Sequence, residues 1–195
     1  MVSPSLVAGD GLADVDSEQW ADDYDRYFRK YSKRFFGPFF DWRWFKAQAI
    51  AESKLDEKVV SERGAQGLMQ IMPDTFAEIR ERNPHFSDVA SPKWNIAAGI
   101  YYDRMLYKRW SHPSGEERLF LTLASYNAGF GRVRSANRKA GGGEDTSWNE
   151  TRKFVPGETQ HYVKNIQRLM RFEEKGPRRI RGISQVLKQE EEQGS

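Results

Sequence analysis

Glu52 has the setting in this chain that most favours chemistry. It follows Trp44, Phe45, Ala47, Ala49, Ile50 and Ala51, so a core-facing apolar run ends in a carboxylate. Helical periodicity is lost over residues 54–67, which puts Glu52 in the last turn of a helix from about Asp41 to Ser53. Burial disfavours the anion there, and the negative end of the helix dipole disfavours it again. Lys54 lies two residues on and points to a different face, so it does not neutralise the charge. A carboxyl kept protonated near neutral pH is what general-acid cleavage of a glycosidic bond requires. Taken alone, a glutamate so placed is more often an exposed helix-end residue, and its surroundings have to decide between the two.

Other chemistries find little support. Cysteine is absent, which excludes thiol nucleophiles, thiolate metal sites and disulfides. His85, His112 and His161 lie far apart without ligand spacing, so each reads as a surface residue, with no metal and no cofactor expected. Asp56, Glu57 and Glu62 occupy a charge-rich loop and read as solvated. No partner carboxylate of the kind most glycosidases use is therefore visible. The net charge of +3 is a mild basic bias that suits anionic polymers in general. The basic run Arg178–Arg181 has no aromatic interleaving and is followed by Glu190–Glu192, so nucleic acid is not an expected partner. No apolar stretch approaches the roughly 18 residues that span a bilayer. The N-terminus has no positive region of the secretory kind.

The elements that must position Glu52 are helical. Residues 1–16 read as a flexible leader, 17–175 as one domain and 176–195 as a charged tail. Ser17 can cap a helix carrying an aromatic stripe of Trp20, Tyr24, Tyr27, Phe28 and Tyr31, stopped by Gly37-Pro38. Pro73 opens a helix to about Arg82, and Ser91-Pro92 opens another with Trp94, Ala97, Ala98, Ile100, Tyr101 and Met105 on its apolar face. Ser114 and Glu117 fit a capping box before Leu119, Thr122, Leu123 and Tyr126, and Asn127-Ala128-Gly129 ends that segment. A shorter helix from about Gly131 to Ala140 and a long one from Glu158 to Glu174 complete the chain. The fold class is mainly α, with about seven helices, no useful strand and no internal repeat.

The stretch AIAESKLDEKVVSERGAQGLMQIMPDTF gives the context that Glu52 needs. It resembles the catalytic segment of lytic transglycosylases of glycoside hydrolase family 23, which share a lysozyme-like domain. In that family a Glu-Ser pair closes a helix, a Ser follows nine residues on, and a Gly-Ala-x-Gly-Leu-Met-Gln-Ile-Met-Pro run comes next. Here these are Glu52-Ser53, Ser61 and Gly64-Ala65-Gln66-Gly67-Leu68-Met69-Gln70-Ile71-Met72-Pro73. Three more signatures occur in order: Asn95-Ile96-Ala97-Ala98-Gly99, Ala124-Ser125-Tyr126-Asn127-Ala128-Gly129 and Glu158-Thr159-Gln160-His161-Tyr162-Val163. The resemblance covers residues from about 20 to 172.

This resemblance implies a lysozyme-like domain with a substrate groove that cleaves the MurNAc-β-1,4-GlcNAc bond of peptidoglycan without water. Glu52 would act as acid, then base, and leave a 1,6-anhydromuramoyl end. It also accounts for the missing second carboxylate, because the attacking hydroxyl belongs to the substrate and enjoys a large effective molarity. Among the supporting residues, Ser61 is placed to bond the substrate N-acetyl group or Glu52, or else to cap its loop. Gln70 offers a donor and an acceptor to sugar hydroxyls. Met69 and Met72 offer apolar faces, with core packing an equal reading. Tyr126 and Asn127 would reach the glycosidic site from a helix end. Tyr162 would bond near Glu52, with Glu158 one turn earlier on the same groove. A hydrolytic lysozyme on the same fold and a non-catalytic glycan-binding module are the alternatives. The expected partner is the peptidoglycan strand, met by a monomer at the bacterial cell envelope or by a phage-encoded protein acting there.

Overall fold

A computed structural model describes residues 22–111, 115–143 and 146–175. Among them eight α-helices are present: α1 (Asp25–Phe36), α2 (Arg43–Ser53), α3 (Pro73–Arg82), α4 (Pro92–Arg109), α5 (Gly115–Ala128), α6 (Phe130–Lys139), α7 (Trp148–Thr151) and α8 (Gly157–Lys175). Seven correspond to the helices expected from periodicity. The eighth, α7, is a single turn that periodicity cannot reveal, and it forms because Ser147 and Glu150 close a capping box. The leader, Ser17, Trp20, His112, Ser114 and the tail from residue 176 lie outside the described residues. The capping box expected of Ser114 and Glu117 falls on them too; the Glu117 carboxylate accepts a hydrogen bond from the Trp148 backbone N–H and ties α5 to α7.

Local chemistry explains where the helices begin and end. Pro73 and Pro92 occupy first-turn positions, where a missing N–H costs nothing. α2 stops because Lys54 and Leu55 both take left-handed backbone, at φ 56° and 63°. Gly129, at φ 87°, separates α5 from α6, and its N–H returns to the Ser125 carbonyl at 2.9 Å.

The helices enclose two apolar cores that meet on α2. Ala47 and Ile50 face a core built with α5, α6 and α8, including Leu121, Leu123, Val163 and Ile166. Phe45 and Ala49 face the other, built with α1, α4 and the loop after α2, including Phe28, Leu68, Met69, Ile96 and Ile100. Phe45 through Ile50 are all buried, so this helix has no solvent face over that span. Even Lys46 is buried, paired with Asp25 of α1.

The segment between α2 and α3 makes only two isolated antiparallel bridges, Val60 with Gln66 and Gln66 with Ile71. It is nevertheless buried from Gly67 to Ile71, and side chains from three helices satisfy its backbone. Asn95 of α4 accepts from Met69 N at 2.7 Å and donates to the Gln66 and Val89 carbonyls. Ser53 Oγ donates to the Leu68 carbonyl at 2.9 Å, and the Tyr126 hydroxyl donates to the Met69 carbonyl at 2.7 Å. One turn beyond Asn95, Gly99 lets Met69 lie directly on α4. A Cβ at position 99 would stand 2.8 Å from Met69 Cβ and Cγ. Because Met69 Cβ is fixed by its backbone, Gly99→Ala should destabilise the fold by about 1–3 kcal/mol through overpacking. Urea unfolding of the two proteins would measure this, and an unchanged midpoint would count against the close contact.

Candidate active site

Glu52 sits in the last turn of α2, at the line where the two cores meet, and is 2% exposed. Tyr162 of α8 reaches across and donates its hydroxyl to Glu52 Oε1 at 2.6 Å. The second oxygen, Oε2, is buried and has no hydrogen-bond partner among the described residues. Burial pushes the Glu52 carboxyl up to about 8, while the Tyr162 hydrogen bond works the other way by stabilising the anion. Lys54 is exposed and in left-handed backbone just past the helix. The outcome is a carboxylic acid that keeps its proton at neutral pH, with one oxygen anchored and the other uncommitted. Tyr162 itself is pushed well above the ordinary tyrosine range, first by burial and then by Glu52, so it stays a neutral donor.

The remaining residues singled out by sequence divide into two groups. Ser61 is half-buried, and its Oγ accepts from the Ala65 N–H at 2.9 Å, capping the loop. Met72 is half-buried at the entry of α3, and Glu158 is exposed in the first turn of α8. Met69 by contrast is fully buried in the core beneath Gly99. Gln70 is 4% exposed at φ 47°, and its Nε2 donates to the Val59 and Gly67 carbonyls at 3.1 and 2.9 Å, so its amide donor braces the loop. Tyr126 is 1% exposed, with its hydroxyl committed to the Met69 carbonyl. Asn127 is also buried; its Oδ1 accepts from Thr159 Oγ1 at 2.8 Å, and its Nδ2 has no partner among the described residues. Of the three loop carboxylates, Asp56 and Glu62 are exposed. Glu57 is not fully solvated, because it is half-buried and accepts from the Tyr24 hydroxyl at 3.0 Å.

The fold and the order of these elements match proteins already known. The Transglycosylase SLT domain matches residues 28–149, well over half of the chain. The chain belongs to the SLT transglycosylase domain family. It is similar to membrane-bound lytic murein transglycosylase F of Vibrio campbellii, 29% identical in an alignment that covers 72% of this chain and 28% of that protein. The corresponding protein of Vibrio cholerae (strain ATCC 39541) is 30% identical, over 72% of this chain and 29% of its own. The chain thus spans under a third of the length of these curated relatives. Among solved structures, the 70 kDa soluble lytic transglycosylase of Escherichia coli is 30% identical with a TM-score of 0.55, over 78% of this chain and 25% of that one. An inactive mutant of the lytic transglycosylase Slt from Pseudomonas aeruginosa superposes with a TM-score of 0.63 at 24% identity, over 74% and 23%, and supports the fold alone.

One buried carboxyl of the SLT domain escaped the sequence reading. Asp103 of α4 is fully buried, and Gln48 Nε2 donates to its Oδ1 at 3.3 Å. The signal was present in the spacing, since Asp103 falls seven residues after Ile96 and four after Gly99, on the buried stripe of α4. A polar residue at such a position needs a partner, which Gln48 supplies from one turn before Glu52.

The elevated Glu52 carboxyl makes the stability of the SLT domain depend on pH. The group ionises near 4.5 when unfolded and near 8 when folded, so stability falls as pH rises between these values and levels off above them. Glu52→Gln removes that dependence, and at pH 7 it should stabilise the domain by on the order of 2–3 kcal/mol, with the difference vanishing near pH 4. Melting curves of both proteins across this range test it. Tyr162→Phe removes the donor that favours the anion and should move the Glu52 titration upward, as followed by NMR of the side-chain carboxyl.

Proposed function

We propose that this domain is a lytic transglycosylase, cleaving the MurNAc-β-1,4-GlcNAc bond of peptidoglycan to leave a 1,6-anhydromuramoyl end. The observation that carries the reading is Glu52: a buried, protonated carboxyl with Oε1 fixed by Tyr162 and Oε2 unpartnered. The family membership and the names of the relatives, all lytic transglycosylases, support it.

In this mechanism Glu52 gives its Oε2 proton to the bridging oxygen, which leaves on the GlcNAc side as a hydroxyl. The muramoyl C6 hydroxyl attacks C1, forming the new C–O bond within one sugar, and its proton passes to the Glu52 carboxylate. The acid is regenerated and no water is consumed. Tyr162 serves the anionic half of the cycle, because its hydroxyl stabilises charge on Oε1 that is absent in the resting acid. A second carboxylate is not required. Asp103, fully buried and paired with Gln48, takes no proton in these steps. Ser61, Met72 and Glu158 line the substrate side. Gln70, Tyr126 and Asn127 form the wall behind it: Gln70 and Tyr126 brace the loop on which the sugar rests, and Asn127 accepts from Thr159 of α8. The substrate class places the enzyme at the bacterial cell envelope.

Digestion of purified sacculi, followed by mass spectrometry of the soluble muropeptides, should give ends lighter by one water than those from a hydrolytic lysozyme. Reducing ends as the sole product would replace the lyase with a hydrolase, and the absence of soluble fragments would leave only a binding module. Glu52→Gln should reduce release by about 10²- to 10⁴-fold while leaving glycan binding in place. Glu62→Gln, at an exposed position, should release fragments at the wild-type rate.

A further inference from the structure

Gln48 and Asp103 form a closed polar pair beside Glu52, and its hydrogen-bond pattern is incomplete unless Asp103 carries a proton. Both side chains are fully buried. One bond is present, from Gln48 Nε2 to Asp103 Oδ1 at 3.3 Å. The other oxygen of each group, Gln48 Oε1 and Asp103 Oδ2, is buried without a partner among the described residues. With Asp103 ionised, both leftover atoms are acceptors, and neither can satisfy the other. With Asp103 protonated, its O–H becomes a donor while the Gln48 carbonyl is an acceptor in want of one. An acid and an amide already joined by one bond can then close a second, antiparallel one, so that a single proton would resolve both orphaned atoms.

The electrostatic surroundings agree. Among the described residues the charged group that acts on Asp103 is Glu52 from α2, and Asp103 in turn acts on Tyr102 of its own helix, Tyr126 of α5 and Tyr162 of α8; none of these four is a cation. Burial raises the Asp103 carboxyl well above the ordinary range, the Gln48 bond opposes this, and a charge on Glu52 raises it further.

We propose that Asp103 is a positioning residue that acts as a permanently neutral acid, locking the Gln48 amide so that Glu52 is the only carboxyl of the site whose charge changes. This rests on the reading of Glu52 as the general acid. Gln48 stands four residues before Glu52 on the same helix, within side-chain reach. An unlocked amide carbonyl there would compete with the glycosidic oxygen for the Glu52 proton. Holding both edges of the amide on Asp103 removes that competitor. It also spares the Glu52 anion a second charge in the same dry region.

Asp103→Asn and Asp103→Leu separate this role from simple packing. Asn presents the same donor and acceptor as a neutral acid, whereas Leu fills the volume and frees Gln48. The labelled Asp103 carboxyl should show no NMR titration between about pH 4 and 8. The Asn variant should melt with the wild type near pH 4 and progressively above it as pH rises, because only the unfolded wild-type chain ionises at this position. In the sacculus assay the Asn variant should keep turnover, with the alkaline limb where the wild type has it. The Leu variant should lose about tenfold or more in kcat with KM retained.

The proposal is overturned if Asp103 titrates in this range, or if the melting advantage of the Asn variant is absent or independent of pH. It is equally overturned by an alkaline limb displaced to lower pH in the Asn variant, which would mean that a negative charge had been removed. Wild-type kcat in the Leu variant would also overturn it; if that variant does not fold, the NMR and Asn results decide. A wild-type protein that releases no anhydro product would overturn the lytic reading, while NMR and melting would still decide the protonation state of Asp103.

Discussion

A buried stretch of backbone without regular secondary structure must find its hydrogen bonds elsewhere, and the segment from Gln66 to Gln70 imposes that requirement on the whole domain. Its carbonyls and N–H groups lie in the core, where an unpaired peptide group costs on the order of 1–3 kcal/mol. Ser53, Asn95 and Tyr126 each complete one or more of these bonds. Each comes from a different helix, so α2, α4 and α5 are held in register by the loop as much as the loop is held by them. The same bonds fix the floor beside Glu52, because Ser53 is its immediate neighbour in sequence. Glycines appear where side chains leave no space: a Cβ on Gly67 would meet the Asn95 amide at 2.6 Å, and one on Gly99 would meet Met69.

The helical framework was legible in the sequence because its boundaries are set by residues with few conformational options. Pro73, Pro92 and Gly129 mark starts and breaks for reasons internal to the backbone, and the structure puts them there. Glu52 was legible only in part: the apolar run before it allowed burial, and the motifs around it, by their resemblance to a known family, tipped the choice away from an exposed helix end. What could not be read was the direction in which buried polar side chains spend their hydrogen bonds. Tyr126 and Gln70 have the groups to contact a sugar, yet both direct donors into the loop backbone. Residue type states capacity, and only the packing of one helix against another states use. Asp103 and Gln48 were passed over because their pairing spans 55 residues and joins two helices that separately look apolar.

The polar content of this core is therefore purposeful in two distinct ways. Asn95, Ser53 and Tyr126 replace missing secondary structure. Tyr162 and the Gln48–Asp103 pair surround a group that must change charge during the proposed reaction, and they do so without bringing a cation to it. A lysine or arginine at that position would lower the Glu52 carboxyl and leave it ionised at rest. Hydroxyl and amide dipoles influence the anion while leaving the acid intact.

Because α2 contributes residues to both apolar cores, neither core can open without disturbing it. In a domain assembled from separable halves, the catalytic cleft usually coincides with a hinge, and the halves fluctuate independently. Here the helix that carries the acid is the shared wall, so its amide protons should exchange with solvent only when the entire domain unfolds. Breathing would be confined to the outer elements, above all the short α7 turn and the exposed beginning of α8. In the proposed reaction a glycan strand would then be admitted by movement of the rim around a stationary Glu52, and not by any rearrangement of that residue itself.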